Sequence, residues 1–165
     1  MATRNRYYNI EGTIRSGFKL SRDYETLDFS FIKLNDNGVK ALVGSRSIKQ
    51  LKRLTISNNK LTGESGLAIA EAKYLENLQS LKMYRNKIGD EGAIALSQSP
   101  NLSHLTCLSI WRNEIRDAGG KAIAESIYFL NLERLYMSLN LIDKPIRKVI
   151  RSSDLASRLK TLVMD

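Results

Sequence analysis

The sequence predicts an α/β solenoid, in which short parallel strands and helices alternate along a single domain of 165 residues. Three observations predict it. Apolar residues repeat every 27 positions, a period-two alternation opens each repeat, and a segment with a helical apolar stripe follows. One cysteine excludes an internal disulfide framework, so the fold must be held by its core.

The strand of each repeat is marked by three apolar columns. The central column is Leu27, Leu54, Leu81, Leu108, Leu135 and Leu162. Three positions earlier stand Tyr24, Leu51, Leu78, Leu105, Leu132 and Leu159. Two positions later stand Phe29, Ile56, Met83, Ile110, Met137 and Met164. Side chains two apart point to the same side of a strand, so these columns predict the buried face of a parallel sheet.

An asparagine column follows each strand, where the chain must turn away from the sheet. It comprises Asn59, Asn86, Asn113 and Asn140, with Ile32 in the first repeat. Each repeat thus reads L-x-x-L-x-L-x-x-N-x-L, which resembles the leucine-rich-repeat family over residues 24–165. We expect the amide groups to satisfy backbone groups of adjacent coils.

The second half of each repeat is predicted to be helical. Asp36, Asp90 and Asp117 share a column suited to a helix N-cap. A buried stripe is predicted at Leu42, Ile69, Leu96, Ile123 and Ile150, with close approach allowed by the neighbouring alanines Ala41, Ala68, Ala95 and Ala122. The repeat length resembles the ribonuclease-inhibitor-like subtype, which implies a horseshoe segment with parallel strands on the concave face and helices on the convex face.

The two ends depart from the repeat. Residues 1–23 are expected to form an N-terminal cap, either a hairpin or a short helix, before a repeat domain at 24–165 of five repeats and a final strand. Gly66 lies one residue later than its counterparts Gly38, Gly92 and Gly119, which predicts a distorted second turn. The last strand, around Leu162, leaves an open edge that predicts a homodimer as one possibility.

The candidate binding site lies on the concave face, where residues between the inward leucines point outward. Basic and aromatic residues gather there in the middle and C-terminal repeats: Lys82, Tyr84, Arg85, Trp111, Arg112, Arg134 and Tyr136. Aromatic anchors beside arginine are typical of protein interfaces. The alternative is that Trp111 packs on Arg85 or Arg112 by a cation–π contact and only covers the sheet.

The net charge of +9 favours an acidic macromolecular partner, and we expect a protein-interaction module. The alternative function is binding of nucleic acid or an anionic membrane through the basic surface. That alternative depends on a second basic group, on the last long helix: Lys144, Arg147, Lys148 and Arg151. The competing interpretation is that this group is only a solvated helix face.

An enzyme is not expected. His104 and Cys107 are the only histidine and cysteine, and the alternation predicts that Cys107 is an incidental surface thiol. No metal, nucleotide or other cofactor motif occurs. Without an apolar leader the chain is expected to be cytoplasmic, or exported into a host cell without a classical signal peptide. The family resemblance also implies relatives among enzyme inhibitors, activators of small GTPases and bacterial proteins delivered into host cells, so a short bacterial effector is one possibility.

Overall fold

The computed structural model describes residues 9–165 and shows one six-stranded parallel sheet with its strands in chain order. The strands are β1 (Thr26–Asp28), β2 (Arg53–Thr55), β3 (Ser80–Lys82), β4 (Cys107–Ser109), β5 (Arg134–Tyr136) and β6 (Thr161–Val163). The helices are α1 (Ile10–Ser21), α2 (Asn35–Val43), α3 (Gly63–Ala70), α4 (Gly89–Ser97), α5 (Asp117–Ala124), α6 (Lys144–Arg151) and α7 (Asp154–Arg158). Short 3₁₀ turns at Arg46–Ile48 and Pro100–Leu102 lead two of the helices back to the sheet. The predicted α/β leucine-rich-repeat solenoid is confirmed.

The sheet is in register with the sequence repeat. Leu27 pairs with Leu54, Leu54 with Leu81, and so on to Leu162, so each strand residue faces the residue 27 positions away. From Leu27 to Leu135 the central leucines are at most 1% exposed, whereas Leu162 in the last strand is only partly buried. The strand columns are therefore the core, as predicted. Tyr24 is an exception, because it is exposed and packs its ring 5.9 Å from that of Phe18.

The asparagine ladder has the predicted role. The Nδ2 of Asn86 donates to the carbonyls of Ile56 in the preceding repeat and Met83 in its own. The Oδ1 of the same side chain accepts from the amides of Asn59 and Leu61. One buried amide thus joins two coils and satisfies turn groups that have no partner in the sheet.

The aspartate column does not cap its own helices, so that prediction was wrong. Asp36 and Asp90 lie inside the first turn of α2 and α4, after Leu34 and Ile88 at the cap positions. The carboxylates instead accept from the next repeat: Asp36 from the Thr62 amide at 2.9 Å, and Asp90 from the Arg116 amide at 2.7 Å. Thr62 and Arg116 are the cap residues of α3 and α5, so each aspartate stabilises the start of the following helix.

The second turn has the same cap geometry as the fourth, with Thr62 and Arg116 both extended, so the distortion predicted from Gly66 is absent there. Ser65 occupies the glycine position, is fully buried, and donates its hydroxyl to Asp36 at 2.5 Å. Gly66 has another use: a Cβ there would lie 2.5 Å from the Gly92 Cα, so this glycine lets α3 pack on α4. The alanine column is only partly buried, and at this point glycine rather than alanine allows the close approach.

The two ends of the sheet differ. Helix α1 lies beside β1 with Ile14 and Phe18 buried, so within residues 9–23 the helical alternative is the one observed; residues 1–8 lie outside the described part. Strand β6 has a neighbouring strand on one side only.

Across residues 9–165, no helix is both long and apolar enough to cross a membrane.

Candidate binding face

The concave face is built from the outward residues of the strands and the turns that follow them. The column before the central leucines places Cys107 beside Arg134, and the column after them places Ser109 beside Tyr136. Cys107 and Ser109 are only 4% and 5% exposed, because larger neighbours cover them. A hydrogen bond to the Cys107 sulfur raises the pKa of Arg134. The expectation of a surface thiol was therefore wrong: alternation points Cys107 outward, but the adjacent strand covers it.

Two aromatic rings stand at the centre of this face. Tyr84 and Trp111 stack with their centroids 4.9 Å apart and their planes 9° from parallel. The guanidinium carbon of Arg85 lies 5.0 Å from the Trp111 ring centroid, a distance at which cation and ring attract. The cation–π contact that the alternative interpretation of Trp111 requires is therefore present, and it is made by Arg85 and not by Arg112. Both rings are nevertheless only half-buried, so the stack remains part of the accessible surface.

The positive charge is balanced at one end of the face and not in the middle. Arg53, near the N-terminal end, pairs with Asp23 at 2.5 Å and lies 3.8 Å from Glu25. Among residues 9–165, no ion pair involves Lys82, Arg85, Arg112 or Arg134, and all four are exposed. The first eight residues contain no acidic side chain that could neutralise them. The central part of the face therefore carries uncompensated positive charge.

Most of the predicted site residues line one concave groove of about 460 Å³. Its walls are Arg53, Ser80, Lys82, Tyr84, Cys107, Ser109, Trp111, Arg134 and Tyr136. The other two predicted residues, Arg85 and Arg112, line a separate smaller pocket with Leu139 and Leu141. The structure thus divides the predicted group of seven into a groove and an adjoining pocket.

The predicted group left out several residues that line this surface, among them Arg53, Leu139 and Leu141. Arg53 lies in the same column as Arg134, and Leu139 in the same column as Arg85 and Arg112, so column membership could have found both. Leu141 belongs to a column that is otherwise charged, with Lys87 and Glu114 in the two preceding repeats, so its exposure could also have been predicted.

Comparisons with known proteins agree with this geometry. Two family models described as leucine-rich repeats match, one at residues 74–97 and 101–124 and the other at residues 50–71. The chain contains leucine-rich repeats. No curated protein matches the sequence. Among solved structures, the tropomodulin C-terminal domain of Caenorhabditis elegans superposes with a TM-score of 0.67 at 13% identity, covering 92% of each chain. At that identity the likeness shows the shared fold alone.

Leucine-rich repeats generally mediate protein–protein contacts through the surface formed by consecutive repeats. In this chain the surface with stacked aromatic rings and unpaired cations is formed by the third, fourth and fifth repeats. The residues that the third and fourth repeats contribute to this surface lie in the segments that one leucine-rich-repeat model matches, residues 74–97 and 101–124. The chemistry of the face is therefore carried by regular repeats and not by an insertion.

The only histidine and the only cysteine of the sequence differ in exposure. His104 is exposed on the turn before β4, while Cys107 is buried under Arg134. In the part of the chain that the structure describes, no group of three or more His, Cys, Asp or Glu side chains could hold a metal ion.

Two of the four residues in the second basic group, on α6, donate hydrogen bonds to backbone carbonyls of the chain. Arg147 donates to the backbone carbonyl of Asp165, and Arg151 donates to that of Met164 at 2.5 Å. Lys144 and Lys148 remain exposed. Half of this group therefore uses N–H donors on the residues that follow β6, which leaves fewer donors for a polyanion.

Proposed function

We propose that this leucine-rich-repeat domain is a protein-interaction module, without enzymatic activity, that binds an acidic protein partner through its concave basic and aromatic face. The observation that carries the proposal is the combination of a half-buried Tyr84–Trp111 stack with unpaired cations around it. Interface hot spots favour aromatic and arginine residues in such partly desolvated positions.

The charge distribution supports an acidic partner. Asp23 and Glu25 neutralise Arg53 near the N-terminal end, so the attraction is concentrated where Lys82, Arg112 and Arg134 are exposed. Complementary charge raises the association rate and selects among partners more than it adds affinity. We also propose that the repeats are of the ribonuclease-inhibitor-like subtype, supported by helices of eight or nine residues after strands β1 to β5.

The test is binding by the wild type and by the triple variant Tyr84→Ala, Trp111→Ala and Arg112→Ala. Proteins captured from lysate by the wild type are identified, purified and titrated against both forms. Loss of the central anchors is expected to weaken binding at least about thirtyfold, since hot-spot truncations cost about 2 kcal/mol or more. The wild-type association rate is expected to fall as salt is raised.

The matched control changes three exposed residues outside the strands, before and after α5: Arg116→Ala, Ile127→Ala and Leu130→Ala. Its affinity is expected to equal that of the wild type. Equal weakening of both variants, or none in the concave variant, would show that the partner binds elsewhere. Thermal unfolding of all three proteins confirms that each is folded.

Nucleic acid or an anionic membrane remains the second candidate for the basic surface, favoured by Lys144 and Lys148 on α6. Capture of nucleic acid or lipid equally by both concave and wild-type proteins would favour α6 over the concave face.

A further inference from the structure

The pocket beside the aromatic stack brings two arginines from consecutive repeats together. Arg85 and Arg112 share left-handed backbone geometry, with φ of 54° and 55°. Their amides make equivalent 3.0 Å hydrogen bonds, to the carbonyls of Trp111 and Ser138. The two side chains therefore leave the backbone in the same direction, one strand spacing of about 4.8 Å apart. We call this cavity of about 330 Å³ the arginine pocket; it is lined by Arg85, Asn86, Lys87, Arg112, Glu114, Leu139 and Leu141.

The two guanidinium groups are available to a ligand. Within residues 9–165 neither makes an ion pair or a side-chain hydrogen bond, although both line the same cavity. Arg85 lies over the Trp111 ring, a contact that uses the flat face of the guanidinium and leaves its N–H edge free. The edge is thus held in place before any ligand binds, which reduces the entropy lost on binding.

The charge of the pocket matches a dianion. Its other charged residues, Lys87 and Glu114, pair with each other at 3.2 Å, so two positive charges remain uncompensated. A phosphate monoester carries about −1.5 to −2 at neutral pH and offers three acceptor oxygens to arginine forks. A carboxylate or a phosphodiester carries a single charge and matches the pair less well.

We infer that the arginine pocket binds a phosphorylated side chain on a segment of the partner protein, an inference that rests on the proposed function. An apolar residue next to the phosphate packs on Leu139 and Leu141, which are 59% and 49% exposed at the pocket rim. These exposed leucines favour a peptide over a nucleic acid backbone, which presents no apolar side chain.

The test uses acetyl-Gly-phosphoserine-Leu-Gly-amide as the probe, with the serine and aspartate versions of the same peptide for comparison. Binding is followed by the NMR signals of the Arg85 and Arg112 Nε–H groups and the Trp111 indole N–H. The phosphopeptide is expected to shift both arginine signals saturably and to bind at least about tenfold more tightly than the aspartate peptide, because arginine forks hold a dianion by charge-assisted bonds.

Three variants distinguish bidentate hydrogen bonding by the arginine fork from attraction by positive charge alone. Arg112→Lys keeps the charge but loses the fork, so affinity is expected to fall about tenfold. Arg116→Lys, at an exposed arginine where α5 begins, is the matched control and leaves affinity unchanged. Glu114→Gln removes the repelling carboxylate and frees Lys87, so affinity rises; this gain cannot come from misfolding.

Several outcomes would overturn the inference. Equal binding of the aspartate and phosphoserine peptides would leave an acid-binding face without phosphate selectivity, and the proposed function would stand. Tighter binding of an eight-nucleotide thymidine strand than of the phosphopeptide would replace the peptide by nucleic acid. An unchanged affinity of Arg112→Lys would place the phosphate elsewhere. Failure of the proposed function is distinct, since it appears as partner binding that is insensitive to Tyr84 and Trp111.

Discussion

At the scale of single residues, buried asparagines carry the hydrogen bonding between repeats. Asn113 is fully buried and donates through Nδ2 to the carbonyls of Met83 at 3.0 Å and Ile110 at 3.1 Å. These carbonyls lie in two different repeats, beneath the turn that carries Trp111 and Arg112. The binding face is thus supported from below by an amide that no solvent molecule could replace without opening the core.

We expect Asn113→Ala to lower the free energy of unfolding by about 3 kcal/mol, because buried carbonyls lose their donor. Urea unfolding followed by circular dichroism measures the change. The control is Asn77→Ala, which removes one exposed bond of 3.0 Å to the Lys49 carbonyl and is expected to cost less than about 1 kcal/mol. Equal losses in the two variants would contradict a special role for the buried ladder.

At the scale of helices and strands, aspartates join each helix to the next. Burial acts to raise the pKa of Asp36, but hydrogen bonds from Ser65 and Thr62 outweigh it and hold the pKa below its ordinary value. The side chain of Asp36 therefore stabilises the N-terminus of α3 most when it is ionised. This link between repeats is a source of acid sensitivity in the solenoid.

We expect wild-type protein to be more stable than Asp36→Asn at neutral pH, with a difference that narrows as the pH falls. The folded-state pKa of Asp36 is lowered, so its contribution is complete above the unfolded value of about 3.9 and is lost as pH drops through the folded value. Urea unfolding of both proteins between about pH 6 and pH 3 measures the narrowing. A constant difference over that range would show that the carboxylate charge is not what stabilises α3.

At the scale of the whole molecule, the sheet presents one open edge at β6. The strand has three residues, and the carbonyls of Met164 and Asp165 just after it already accept from Arg151 and Arg147. A two-fold dimer would pair β6 with its copy in the antiparallel direction, unlike every other pair in the sheet. So short an edge offers few hydrogen bonds, and short edges are one way in which proteins avoid such pairing.

We therefore expect residues 1–165 to be monomeric at concentrations up to about 1 mM, with repulsion between like-charged copies adding to the effect. Light scattering at low and high salt gives the mass. A dimer that is abolished by Leu162→Pro would instead support the homodimer hypothesis. Proline there removes an N–H that faces the open edge, whereas the neighbouring Val163 bonds to β5.

The 27-residue period was enough to predict the solenoid, its parallel register and its buried columns. Every repeat makes the same local choices, so a residue's neighbours are known from its column. The same logic placed Tyr84, Trp111 and the basic residues on one face. It failed at Cys107, where alternation gives the direction of a side chain but not the size of the residue beside it.

Tertiary packing decided what the columns could not. It selected Arg85 over Arg112 as the partner of Trp111, assigned each aspartate to the following helix, and separated the groove from the arginine pocket. These outcomes depend on the directions of long side chains and on contacts between residues 26 or 27 positions apart. Local sequence determines backbone periodicity, whereas side-chain partners across repeats are determined only when the coils stack.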